Sequence, residues 1–195
     1  MKSQYHAGFS LLELLVALFV VVIITSLVTL AINSGGQDYE LEAKARSLAD
    51  ISGFALDEAQ MRGVDMGLFI ERTDEAGESQ YSYSWLERMP QGWRRPVVDQ
   101  DIFDKRQFPQ AVELALEMEG SPVGILGGVD RALEESNNNG KPGEPAPQVI
   151  FYSSGEVTAG ALELRQVETG DLLWRIEWDL LGRFTLLRRG ESADE

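Results

Sequence analysis

A chain of 195 residues has room for one membrane segment and one further domain, and its formal net charge of −15 argues against nucleic acid or anionic lipid as a main partner. It has no cysteine and one histidine, His6, so a mature chain that begins after Gly8 would contain neither residue. That excludes Ser-His-Asp triads, Cys-His nucleophiles and nearly all zinc sites. The acidity is equally well explained by a need for solubility.

The chain opens with an apolar segment. No charged residue occurs from Leu14 to Ile32, a length that matches the roughly 20 helical residues needed to cross a bilayer core. Glu13 stands at the start of this segment, where an unpaired charge is costly. A secretory signal peptide would have a shorter apolar core and more basic residues than Lys2 alone. The sequence therefore predicts a transmembrane helix over 9–32. It also predicts that the carboxylate of Glu13 has a functional role.

The start of this segment resembles a known family pattern. Gly8–Glu13, followed by further apolar residues, is similar to the signal of type IV pilins and type II secretion pseudopilins. The resemblance implies that a prepilin peptidase cuts between Gly8 and Phe9, that residues 1–8 are a cleaved leader, and that Phe9 is N-methylated. It makes Glu13 the fifth residue of the mature chain.

The spacing of Phe9 and Glu13 has a physical explanation. They are one helical turn apart, so the terminal amine of Phe9 and the Glu13 carboxylate lie on one face. Glu13 is expected to pair with this amine, or with the amine of a neighbouring subunit, and to set subunit register in a filament. The alternative is that Glu13 only reaches the level of the lipid headgroups.

The second predicted element continues the helix over 33–63. Asn33–Gly36 contains paired glycines and predicts a weak point. Beyond it, residues spaced four and three apart form one stripe of an amphipathic helix, and Gly63 is a reasonable stop. The stripe comprises Leu41, Ala45, Leu48, Ser52, Ala55 and Ala59.

From 64 to 190 the hydrophobic period changes to two, which is typical of strands. The predicted strands include Met66–Ile70, Tyr81–Trp85, Val112–Met118, Val149–Tyr152, Ala161–Val167, Leu172–Trp178 and Phe184–Leu187. Asp74–Gly77 and Leu181–Arg183 are predicted hairpin turns, Ser136–Pro147 a mobile loop, and 191–195 a flexible tail. The fold class is therefore α+β, with a long N-terminal helix packed on an antiparallel β-sandwich.

A second resemblance narrows the family. The helix segment Glu42–Gly63 with the strand after it resembles the H-type minor pseudopilin of type II secretion. Four later segments share the resemblance: Gly92–Trp93, Phe108–Pro109, Phe151–Thr158 and Asp179–Arg183. The family fold is pilin-like, and the implied role is a subunit near the tip of a periplasmic pseudopilus that pushes folded exoproteins through an outer-membrane channel.

The same resemblance implies partners and a location. The partners are the other minor pseudopilins, the major pseudopilin, the prepilin peptidase and the inner-membrane assembly platform, with no nucleic acid and no cofactor. The chain would cross the inner membrane once and place its C-terminal domain in the periplasm. Two related alternatives stay open: a minor pilin of a type IV pilus, including a DNA-uptake pilin, and an I- or J-type minor pseudopilin. A DNA-binding pilin needs a basic surface, and along this sequence only Arg183, Arg188 and Arg189 form a basic cluster.

An enzyme is the least favoured class. Candidate acid/base groups are easy to find in a chain with 32 acidic residues, and their spacing matches no calcium loop. These groups are Asp99, Asp101, Asp104, Glu134 and Glu135. The sequence thus predicts no catalytic and no metal-binding residue. Ser153–Glu156 is interpreted as a turn, and Trp174 and Trp178 share one strand face that is either core or an exposed docking patch.

Overall fold

The computed structural model describes residues 11–75, 78–97, 101–119, 124–126 and 146–191, except for the side chains of 27–37, 75 and 78. The predicted leader 1–8, Phe9, most of the loop Ser136–Pro147 and the tail residues 192–195 lie outside this description. So do Asp99, Glu134 and Glu135. The chain divides into two units, 1–40 and 41–195.

One helix and ten strands make up the described part. In chain order they are α1 (Leu11–Arg62), β1 (Met66–Glu75), β2 (Glu78–Met89), β3 (Gly92–Arg94), β4 (Arg106–Gln107), β5 (Val112–Met118), β6 (Gly124–Ile125), β7 (Val149–Phe151), β8 (Gly160–Gln166), β9 (Leu172–Trp178) and β10 (Phe184–Arg188).

The first unit contains the beginning of α1. All described side chains from Leu11 to Ser26 are exposed, and most are large and apolar. Within the described residues, α1 does not supply a stretch that has both the length and the hydropathy of a membrane span. The transmembrane segment predicted over 9–32 extends beyond these side chains and stays a prediction.

The second unit begins with the amphipathic part of α1. All six residues of the predicted stripe are buried, and the alanines at 45, 55 and 59 have no exposed area. Ser52 is the polar member, and its hydroxyl donates a 2.8 Å hydrogen bond to the carbonyl of Leu48. Gly63, at a φ of 64°, ends the helix as predicted. The backbone of α1 is continuous through Asn33–Gly36, where the sequence predicts a weak point.

The strands form two antiparallel sheets. Sheet 1 has the order β3-β2-β1-β7, with β4 also paired to β2, and sheet 2 has the order β10-β9-β8-β5-β6. The predicted strands Val112–Met118 and Leu172–Trp178 coincide with β5 and β9. β1 and β2 pair from Met66↔Glu87 to Glu75↔Glu78, so they join around the predicted turn Asp74–Gly77. Ala76 and Gly77 themselves lie outside the described residues.

The core lies where α1 and both sheets meet. A small apolar cavity marks this place, and its wall includes Leu48 of α1, Leu68 and Phe151 of sheet 1, and Leu162 and Trp178 of sheet 2. Burial of such side chains is the main stabilising contribution of a domain this size. The predicted long helix on an antiparallel β-sandwich is therefore confirmed.

The sequence left open whether the face of Trp174 and Trp178 is core or an exposed docking patch. Trp174 and Trp178 are 9% and 6% exposed and belong to the core, so their face is not a docking patch. The indole N–H of Trp178 donates to the carbonyl of Thr158 at 2.7 Å, which satisfies the buried polar atom.

The predicted turns at Ser153–Glu156 and Leu181–Arg183 are both present. Asp65 accepts hydrogen bonds from the Ser153 amide and hydroxyl at 2.9 and 3.0 Å, which fixes the turn after β7 beside the end of α1. In the β9–β10 turn, the carboxylate of Asp179 accepts the amides of Leu181 and Arg183 at 3.0 Å each. Such side-chain acceptors commonly stabilise turns.

Candidate functional site

Glu13 is the predicted assembly residue that the structure describes, and it lies in the first turn of α1. Gly8 and Phe9, the predicted cleavage and methylation residues, lie outside the described residues. The structure therefore places Glu13 on α1, and its pairing with Phe9 stays a prediction.

The surface around Glu13 is apolar for several helical turns. Leu12, Leu14 and Leu15 are 73%, 62% and 62% exposed within the chain. Two polar side chains further along bond to their own helix: Thr25 donates to the carbonyl of Val21 at 2.7 Å, and Ser26 to that of Val22 at 2.8 Å. Hydroxyls bonded to their own helix leave its surface suited to a water-free environment or to other helices.

A buried charge cluster joins the end of α1 to sheet 1. The Glu87 side chain has no exposed area, and its two oxygens accept from Arg62 at 2.8 Å and from Arg94 at 3.0 Å. Arg62 also lies 3.7 Å from Glu58, one turn back along α1. A carboxylate buried this deeply is tolerated because both oxygens have cationic donors.

A second charge cluster covers the outer face of sheet 2. Arg175 on β9 binds three carboxylates, those of Glu117, Glu163 and Glu177, at 2.5–2.7 Å. Glu163 also binds Arg165 at 2.6 Å. Burial lowers the pKa of Arg175, but its hydrogen bonds to the three carboxylates outweigh that effect and raise it overall. The cluster is held by cross-strand register, since Glu163 and Arg175 are direct partners.

The remaining charged candidates do not form a site. Asp101 and Asp104 are exposed, and within the described ranges no three acidic or histidine residues are grouped in a way that would hold a metal. Arg183 pairs with Asp179 at 2.7 Å, Arg189 pairs with Asp171 at 3.3 Å, and Arg188 lies over the ring of Trp174. The hydrogen bonds of Arg183 hold the pKa of Asp179 below its usual value: the backbone bond contributes most, and the side-chain bond adds to it.

Sequence reasoning missed an arginine–tryptophan pair on sheet 1. The guanidinium of Arg88 on β2 lies 5.5 Å from the ring centre of Trp93 on β3, its direct cross-strand partner. It also missed the Arg62–Glu87–Arg94 cluster. Only strand pairing brings these residues together, and the three-residue strand β3 has too short a pattern to be predicted.

Comparisons with known proteins add three findings. Residues 3–31 match the family model described as the prokaryotic N-terminal methylation motif. The chain is 28% identical over 159 residues to type II secretion system protein H of Pseudomonas aeruginosa, covering 82% of this chain and 83% of that protein. It is 26% identical to the protein of the same name from Aeromonas hydrophila over an alignment of 197 positions, which covers 100% of each chain.

The solved structures agree on the fold. The chain is similar to the crystal structure of the minor pseudopilin EpsH from the type II secretion system of Vibrio cholerae, with a TM-score of 0.59 and 24% identity. That match covers 80% of this chain and 98% of the other. A second structure of the same Vibrio cholerae protein gives a TM-score of 0.58. At this identity the likeness bears on the fold alone, and it confirms the predicted helix-on-sandwich architecture.

Proposed function

We infer that this chain is a minor pseudopilin of the H type, a subunit of the type II secretion system, as its sequence predicts. The observation that carries the inference is the combination of an N-terminal methylation motif at 3–31 with full-length similarity to type II secretion system protein H. The α+β fold shared with a minor pseudopilin supports it.

In this function the first unit is the assembly element. Cleavage between Gly8 and Phe9 removes the leader and leaves an α-amine on Phe9, which is then N-methylated. The exposed apolar side chains of Leu11–Ile24 insert into the inner membrane before assembly and contact other subunits afterwards. The internal hydrogen bonds of Thr25 and Ser26 support this placement, because a bilayer core offers no other partner for these hydroxyls.

Glu13 supplies the register of assembly. A carboxylate among apolar helices is stable only with a cationic partner, and the α-amine of a neighbouring Phe9 carries the required charge. A subunit that docks one turn out of place leaves both charges unpaired. The pairing therefore selects one axial position along the pseudopilus.

The second unit faces the periplasm and acts through its surface rather than through catalysis. It sits near the tip of the pseudopilus, with the other minor pseudopilins and the major pseudopilin as its neighbours. Extension of the pseudopilus then pushes folded exoproteins across the outer membrane. The described residues support a structural role, because their charged clusters are internally paired ion networks.

Two measurements test this function. Mass spectrometry of the chain from membranes is expected to find an N-terminal methyl-Phe9, and an intact Met1 or a cut near Asn33 would contradict the assignment. Deletion of the gene is expected to leave type II exoproteins in the periplasm while pilus-dependent traits are unchanged. The opposite pattern, lost pilus function with normal secretion, would assign the chain to a type IV pilus instead.

A further inference from the structure

The outer face of sheet 1 carries an exposed arginine beside a tryptophan, and a second exposed arginine follows two residues after that tryptophan in sequence. Glu87 of β2 points into the core, so its neighbour Arg88 points outward, and Trp93 of β3 lies on the same outer side as Arg88. Arg95 follows β3 directly and is exposed. Arg88, Trp93 and Arg95 are called here the arginine–tryptophan surface.

A glycine allows the tryptophan of this surface to approach strand β1 closely. A Cβ on Gly67 of β1 would lie 3.2 Å from the Trp93 ring and 2.4 Å from Pro147. With no side chain at 67, both rings rest directly on the strand. Trp93 thus packs closely against β1, and the Arg88 guanidinium makes a cation–π contact with it at 5.5 Å from the ring centre.

The positive charges of this surface have no carboxylate partner among the described residues. Of the residues that the structure describes, none supplies a carboxylate to Arg88 or Arg95, although the chain has 32 acidic residues. By contrast Arg62, Arg94, Arg165 and Arg175 all bind carboxylates. Exposed arginines and a tryptophan are residue types enriched at protein interfaces.

We propose that the arginine–tryptophan surface is a docking site for a carboxylate-bearing segment of a partner protein. Charge complementarity selects the occupant: two planar guanidiniums match carboxylates, and Trp93 covers an apolar side chain next to them. A phosphate surface is the weaker fit, because its affinity comes from many simultaneous contacts and the chain as a whole is at −15. That the partner is another subunit of the secretion system rests on the proposed function.

Zero-length coupling tests this proposal directly. In the full-length chain, Arg88→Lys keeps the charge and introduces an amine that a carbodiimide joins to a carboxylate in contact with it. Arg188→Lys is the matched control, because Arg188 also lies over a tryptophan, Trp174, at 5.8 Å. Membranes carrying the secretion machinery are treated, and mass spectrometry identifies the coupled carboxylate.

The expected result is coupling from position 88 to an Asp or Glu of another pseudopilin, absent at position 188 and lost at high salt. Arg88→Glu combined with Arg95→Glu is expected to lower recovery of that partner about tenfold, whereas Arg188→Glu leaves it unchanged. Coupling to Glu134, Glu135 or Glu144 of the same chain, equal coupling at both positions, or no coupling would overturn the proposal. So would binding to phosphatidylglycerol vesicles that the charge reversal abolishes.

The two proposals fail separately. If secretion does not depend on this chain but position 88 still couples to a foreign carboxylate, the proposed function is wrong and the surface stands. If secretion depends on the chain and position 88 couples to nothing, the surface inference is wrong and the function stands.

Discussion

Arg62 in the last turn of α1 donates a 2.8 Å hydrogen bond to Glu87 of β2, a carboxylate with no exposed area. Arg94 of β3 holds the other oxygen at 3.0 Å. One buried charge therefore ties the end of the helix, a long central strand and an edge strand together.

Removal of Arg62 should be costly. Arg62→Ala leaves the buried Glu87 with one cation instead of two, so we expect a loss of about 3 kcal/mol in unfolding free energy, measured by urea denaturation of the detergent-solubilised chain. Arg46→Ala is the control, because Arg46 pairs with Glu42 on the exposed side of the same helix, and it should cost less than about 1 kcal/mol. Equal losses in the two variants would show that burial of Glu87 contributes nothing.

Gly182 tests the packing of the β9–β10 turn on α1. Its φ is 69°, and an added Cβ would lie 2.3 Å from Leu56. Gly182→Ala therefore combines backbone strain with overpacking, and we expect a loss of about 3 kcal/mol. Gly170→Ala shares the positive φ of 71° but meets no atom within 4 Å, so it should lose about 1 kcal/mol. Similar melting temperatures for both variants would mean that the Leu56 contact relaxes freely.

The Asp179 turn should respond to acid. The pKa of Asp179 is lowered in the folded chain, chiefly by the amide of Arg183. Its contribution to stability is thus complete above the unfolded pKa of about 3.9 and is lost as the pH falls through the lower folded value. Urea denaturation between pH 7 and pH 2 should show a shallower acid slope for Asp179→Asn. Asp57→Asn, at an exposed position on α1, should keep the wild-type slope; identical slopes in all three proteins would refute the assignment.

The Arg175 cluster predicts non-additive energetics. Arg175→Gln leaves Glu117, Glu163 and Glu177 close together without their shared cation, so a loss of about 2 kcal/mol is expected. Adding Glu163→Gln removes one of the repelling charges, and the double variant should be about 1 kcal/mol more stable than the sum of the singles predicts. Lys105→Gln breaks an exposed pair with Glu71 and should have little effect. Strict additivity would contradict a coupled network.

Glu13 is expected to act in assembly but not in processing. Glu13→Gln should leave leader cleavage and the folded C-terminal unit unchanged, yet lower incorporation into the pseudopilus and secretion by about tenfold, because the neighbour's amine loses its counter-charge. Glu42→Gln changes a carboxylate outside the apolar segment and should secrete normally. Wild-type secretion by Glu13→Gln would exclude the register role.

Periodicity predicted the long elements of this fold. The stripe from Leu41 to Ala59 and the alternation in β5 and β9 each run over enough residues for one face to be identified, and burial follows that face. The strands β3, β4 and β6 have two or three residues each, too few for a period, and only pairing with a neighbour defines them.

The charged sites also differ in how far the sequence alone reveals them. Glu13 is a candidate site because its charge is out of place within an apolar run, and its role in assembly stays a prediction. Glu87 and Arg88 are not distinguished by the sequence, since a strand pattern alone does not say which of two adjacent charges faces inward. That choice depends on the cross-strand register, Met66 with Glu87, and on the long-range approach of Arg62.

The two ion pairs of Glu87, with Arg62 and with Arg94, also bear on local unfolding. Local unfolding of β3 or of the last turn of α1 would leave the buried Glu87 carboxylate with one cationic partner instead of two. We therefore expect the two segments to unfold together. Their amide protons should exchange with solvent at one common rate, as a single cooperative segment. A mechanical force applied to α1 would then be transmitted to the edge strand β3 before the strands of the sheet separate.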